Sequence, residues 1–115
     1  METHNLNIRT YIVWAPFLHT DTEATARDST ARTWSPNTVY FWVPDQILAL
    51  EAGSVLQLAA GRPAWDVYLL YRRGALWEKS FPNPDYWQQQ LDILQGDKYS
   101  PETMRVRMEE FLREK

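Results

Sequence analysis

The chain has 115 residues, 44% of them apolar and 23% charged, with a formal charge of −3 and no cysteine. A chain of that size and composition supports one ordinary hydrophobic core and lies far from the low-hydropathy, high-charge region of disordered proteins. Disulfides, thiol nucleophiles and thiolate metal sites are excluded. Residues 1–60, with 3 basic and 6 acidic groups, and residues 61–115, with 9 of each, offer no basic footprint for a polyanion.

Residues 1–7 are polar and carry Glu2 where a secretory signal would have a basic region followed by an apolar stretch, so the expected location is cytoplasmic. No apolar run approaches the roughly 20 residues that span a bilayer, and membrane insertion is not expected. From Ile8 to Trp14 the pattern has period two and is rich in β-branched and aromatic residues, which predicts a strand ending before Pro16. Residues 20–33 contain only Ala24, Ala26 and Ala31 as apolar residues, among Thr, Asp, Glu and Arg. They read either as a weakly anchored helix, capped by Asp21 or Thr22, or as a loop ahead of Trp34.

After the turn signal Ser35-Pro36-Asn37, residues 38–43 (Thr-Val-Tyr-Phe-Trp-Val) are six consecutive strand formers stopped by Pro44. Because this strand is apolar on both sides, it is expected to be central in the sheet or to carry an exposed aromatic face formed by Tyr40 and Trp42. Asp45 is placed to cap a helix over residues 46–52, with Gly53 as its left-handed stop. Residues 54–60 fit a short strand or a helix equally well.

Residues 65–71 (Trp-Asp-Val-Tyr-Leu-Leu-Tyr), then Arg72-Arg73-Gly74 and Ala75-Leu76-Trp77-Glu78, predict a hairpin that sets Leu69 opposite Trp77. Asn83-Pro84-Asp85 has the grammar of a helix start, with Trp87, Leu91 and Leu94 on one face and Gly96 at the end. The same grammar recurs at Ser100-Pro101-Glu102, ahead of a stripe of Met104, Met108, Phe111 and Leu112. The expected fold is α+β: a single small domain whose mostly antiparallel sheet, of about four to five strands, is covered on one face by two C-terminal helices.

Residues with catalytic or ligating chemistry are sparse. The pair His19 and Asp21 is a candidate chelating or base–orienter arrangement, but two residues do not make a zinc site, and the remaining histidine, His4, lies near the terminus. The carboxylates Asp45, Glu51, Asp66 and Glu78 would act as an acid–base pair only if the fold brought two of them together. Asp66 stands out because it opens the most apolar strand. Gly53, Gly61, Gly74 and Gly96 are isolated and make no phosphate loop. No cofactor or metal is expected.

Six Trp, six Tyr and four Phe are more than a core of this size requires. Tyr11, Tyr40, Trp42, Tyr68, Tyr71 and Trp77 fall on or beside expected strands. The reading is a non-catalytic binding or subunit protein that uses an aromatic-rich sheet face or edge, with Tyr40, Trp42, Tyr68, Tyr71 and Trp77 as its contacts, for self-association or a protein partner. The alternative is a small-molecule-binding protein or small enzyme with an aromatic-lined pocket between the sheet and the C-terminal helices, its polar element being Asp66 or the His19–Asp21 pair. Nucleic acid, gripped by stacking rings with Arg72 and Arg73, is disfavoured by the charge balance.

Overall fold

A computed structural model describes residues 8–18, 20–33, 35–78, 81–91, 93 and 95–114, without the side chain of residue 33. Its elements are β1 (Thr10–Trp14), α1 (Glu23–Thr33), β2 (Thr38–Trp42), α2 (Ile47–Val55), β3 (Val67–Leu70), β4 (Tyr86–Gln89), β5 (Asp97–Lys98) and α3 (Pro101–Arg113). The class is α+β, with three helices and two sheets among the described residues. Contacts divide the chain into two units, Met1–Leu48 and Ala49–Lys115, the boundary falling inside α2.

The first unit is a β-α-β arrangement. β1 and β2 are parallel, in a register running from Thr10↔Thr38 to Trp14↔Trp42. Parallel neighbours need a crossover, and the segment read as helix or loop supplies it as α1. Thr22 rather than Asp21 caps this helix: its Oγ1 accepts the Thr25 N–H at 3.1 Å, while Thr25 Oγ1 accepts the Thr22 N–H at 2.9 Å. This is the reciprocal logic of a capping box. An apolar stripe is missing, but the small Ala26 is buried, and the Trp14 indole N–H donates to Thr30 Oγ1 at 3.0 Å. The pair closes at one end with the Thr10 N–H on the Asn37 carbonyl, Asn37 having φ 63°, and at the other with the Val43 N–H on Trp14 O.

α2 begins where Asp45 Oδ1 accepts the Ile47 N–H at 3.0 Å, as the capping signal implies, and from Ala49 onward belongs to the second unit. It does not stop at Gly53. Gly53 is a buried interior residue, and a Cβ there would collide with the Arg62 carbonyl oxygen. Residues 54–55 extend the helix, and the left-handed residue that follows is Gln57, with φ 61°. Ala52, Leu56, Leu58 and Ala64 form the buried centre of this unit, with Leu69, Trp87 and Ile93 packed against them.

Two expectations are overturned here. A turn forms at Arg73-Gly74, with Gly74 at φ 94°, but it closes no hairpin, because the strand that pairs with β3 is not at 75–78. β3 runs antiparallel to β4, so Leu69 faces Trp87 where Trp77 was expected. Correspondingly, the sequence after Asn83-Pro84-Asp85 is not a helix but strand β4, lying between β3 and β5. Local capping grammar loses to ladder pairing: the Asp85 N–H bonds to Leu70 O at 2.9 Å, and the Asp85 carboxylate is taken by Arg72. The expected mostly antiparallel sheet is likewise corrected, since β4–β5 and β1–β2 are parallel and β3–β4 antiparallel. Of the two expected C-terminal helices only the second, α3, forms. Ser100 Oγ accepts the Thr103 N–H at 3.2 Å, Pro101 opens the helix, Met104 and Met108 are buried, and Arg105 pairs with Glu109 at 3.2 Å.

Candidate functional site

Strand alternation separates the two faces of the β1–β2 pair. Thr10, Ile12 and Trp14 of β1 and Thr38, Tyr40 and Trp42 of β2 are half-buried on the side where α1 packs. On the other side lie Tyr11, Val13, Val39 and Phe41, which are 60%, 40%, 38% and 48% exposed. The register sets Tyr11 beside Val39 and Val13 beside Phe41, so the rings occupy one diagonal of a two-by-two patch and the valines the other. The Tyr11 and Phe41 rings stack across that diagonal with centroids 6.4 Å apart. Together the four side chains expose on the order of 300–400 Å² of mainly apolar surface. Tyr40 and Trp42 therefore support the sheet from its half-buried side, and the exposed ring of β2 is Phe41, one residue out of phase with the expected face.

The remaining expected residues are dispersed. Tyr68 stacks on Tyr99 at 4.5 Å and its hydroxyl donates to Gln90 Oε1 at 2.8 Å. The Tyr71 hydroxyl donates to Pro82 O at 2.9 Å. Burial raises both phenols above their ordinary pKa, with smaller contributions from Tyr99 and Asp66 at Tyr68 and from Asp85 at Tyr71. Trp77 is half-exposed and stacks on Phe81 at 4.0 Å, next to the still more exposed Leu76. Asp66 is an exposed turn residue with φ 52°, and its carbonyl accepts the Gln90 N–H at 3.0 Å. His19, Trp34, Leu94 and His4 lie outside the described residues. Asp21 is committed to its own turn: one carboxylate oxygen accepts the Leu18 N–H at 2.7 Å and the Phe17 N–H at 2.9 Å, and these bonds hold its pKa below the ordinary value.

Among the described residues no three His, Cys, Asp or Glu side chains converge on a point that would hold a metal. Arg72, considered above as a nucleic-acid contact, is occupied. Its Nε donates to both oxygens of Glu114 at 2.6 and 2.7 Å, Nη1 reaches Asp85 at 3.2 Å, and the guanidinium sits 4.2 Å from the Phe111 ring centre. The Glu114 hydrogen bond dominates in holding its pKa up. No helix among the described residues is long and apolar enough to cross a membrane.

Sequence reasoning missed the buried glutamines. Gln88 and Gln89 are 0% and 1% exposed, and both are fully bonded. Gln88 accepts the Ser100 N–H at 2.9 Å and donates to the Tyr86 hydroxyl at 2.9 Å, which itself donates to Asp97 at 3.0 Å. Gln89 accepts the Leu91 N–H at 2.6 Å and donates to Ile93 O at 3.0 Å. With every polar atom of both amides committed, the pair braces β4 and presents no ligand-binding group. Two open hollows lie in the second unit, one of about 290 Å³ against Val55, Pro84 and Trp87, the other of about 260 Å³ against Gln90, Lys98 and Tyr99. Neither is lined by Asp66 or Tyr71. Comparison with models of protein families, with curated proteins and with solved structures found no match for this chain.

Proposed function

We propose that this is a non-catalytic binding or subunit protein whose contact surface is the open face of the β1–β2 pair, with Tyr11 and Phe41 as anchors and a protein chain, its own or another, as occupant. One observation carries the reading: a parallel strand pair with an apolar second face exposed. Parallel strands are ordinarily covered on both faces, because the crossover helix packs on one and further structure packs on the other. Here α1 serves one face, and Tyr11, Val13, Val39 and Phe41 stand open on the other. Aromatic anchors on a rigid sheet are the side chains that most often dominate protein interfaces. Tyr40 and Trp42 act from behind, stiffening the strands that present the contact.

Native mass spectrometry of gently purified protein tests the reading. The wild type should retain a protein mass, and Tyr11→Ser with Phe41→Ser should release it while leaving the circular dichroism spectrum unchanged. A folded double variant that keeps the same partner would refute it.

A further inference from the structure

Resting on that reading of the same face, we infer that its occupant is a second copy of this chain, docked face to face with its strands antiparallel. The argument is the arrangement of side chains, not their hydrophobicity alone. Tyr11 and Val39 make one row of the patch and Val13 and Phe41 the next, so large and small groups alternate in both directions. Two sheets pack face to face when large groups on one enter the gaps left by small groups on the other. A two-fold axis lying in the interface across the strands sets Tyr11 over Val13 of the second copy and Val39 over its Phe41. Every ring meets a valine. An isologous contact demands that kind of self-complementarity, and an unrelated partner would have no need of it.

A two-fold axis along the strands would also place rings over valines, but it gathers both Arg9 side chains at one end of the interface. The axis across the strands moves them to opposite ends and brings each exposed Arg9 toward the end where β2 leaves for the exposed Asp45 of the other copy. Like charges separate and unlike charges approach, which favours the antiparallel form. The area sets the strength. Two such patches remove about 700 Å² from water, below the ~1,200 Å² at which standard stable interfaces begin, so the dimer is a weak one in the micromolar-to-millimolar range.

Sedimentation equilibrium over that concentration range, on the purified full chain, is the test. The weight-average mass should climb from 13.6 kDa toward twice that value. Two composition-preserving exchanges then read the register. Val39→Phe with Phe41→Val puts both rings in one row, which the antiparallel dimer still accommodates, so association should persist. Tyr11→Val with Val39→Tyr puts both rings on β2, where antiparallel docking sets ring on ring, and association should weaken about tenfold or more. The reverse pattern, or equal association by both exchanges, overturns the inference. So does a mass that stays at 13.6 kDa throughout. If the wild type stays monomeric yet releases a different protein when Tyr11 and Phe41 are changed to Ser, only this inference fails and the proposed function stands.

Discussion

Gly53→Ala offers a sharp test of the packing in the second unit, because two familiar effects predict opposite signs. Alanine in a helix interior is favoured over glycine by about 1 kcal/mol. Gly53 lies inside α2 with ordinary helical geometry, so propensity alone predicts stabilisation. Its missing Cβ, however, is where the 62–64 segment crosses the helix. An added methyl would collide with the Arg62 carbonyl oxygen and approach the Ala64 nitrogen at 3.4 Å. That neighbour is backbone and cannot swing aside. It is pinned by the Ala64 N–H on Ala49 O at 2.8 Å and the Arg62 N–H on Ala59 O at 2.9 Å. Overpacking costs about 1–3 kcal/mol, and weakening a buried backbone bond to relieve it adds about 1 kcal/mol, which cancels the gain in propensity. The net is a loss of roughly 1–3 kcal/mol, which for a unit of this size lowers Tm by about 5–15 °C. Thermal unfolding followed by circular dichroism reads it, with the exposed neighbour Ser54→Ala as a control that should gain a few tenths of a kcal/mol. A Gly53→Ala protein that melts at or above the wild-type temperature would show that α2 does not meet the 62–64 segment as described.

Two further outcomes follow from the hydrogen bonds. Gln88→Met keeps the volume but strands the Ser100 N–H and removes the donor to the Tyr86 hydroxyl, so the urea midpoint should fall by the equivalent of about 2–4 kcal/mol with the slope unchanged. Asp21, its folded pKa depressed by the Leu18 and Phe17 N–H groups, contributes stability that is fully present above its ordinary value of 3.8 and is lost as pH falls through the lower folded value. Asp21→Asn should therefore flatten the acid limb of stability against pH, and an unchanged limb would remove this carboxylate from the account.

How much of this was legible follows from where each element finds its hydrogen bonds. α3 was readable because everything that starts it is local: Ser100 caps, Pro101 supplies its fixed φ, and the methionines face inward. β1 and β2 were readable because their β-branched and aromatic runs admit little else. Asn83-Pro84-Asp85 carries nearly the same opening signal as Ser100-Pro101-Glu102 and yields a strand. The difference is non-local. Leu70 O claims the Asp85 N–H, Arg72 claims its carboxylate, and Trp87, read as one face of a helix, fits the Ala52–Leu56 cluster from a strand instead. The Trp87 ring also lies against Gly96, where a Cβ would come within 2.7 Å, so the glycine read as a helix stop is an allowance for the indole. Nor does anything in a run of three glutamines announce that two of them are buried, since the amides are tolerable there only because the backbone of Leu91 and Ile93, the Tyr86 hydroxyl and the start of α3 supply their partners.

The candidate face was half legible, for a related reason. Residues 38–43 are apolar in both phases of the strand period, a pattern that belongs to strands covered on both sides. The first unit accounts for one phase, Tyr40 and Trp42, with the strands and α1. It leaves the other, Val39 and Phe41, beside Tyr11 and Val13 in the open. Choosing the exposed phase requires knowing which side the crossover helix takes, and a helix held by Ala26 and a Thr30 hydroxyl gives no apolar stripe from which to tell. The contact proposed above therefore falls on the outward phase, which the first unit leaves exposed, and not on the larger rings of the inward one.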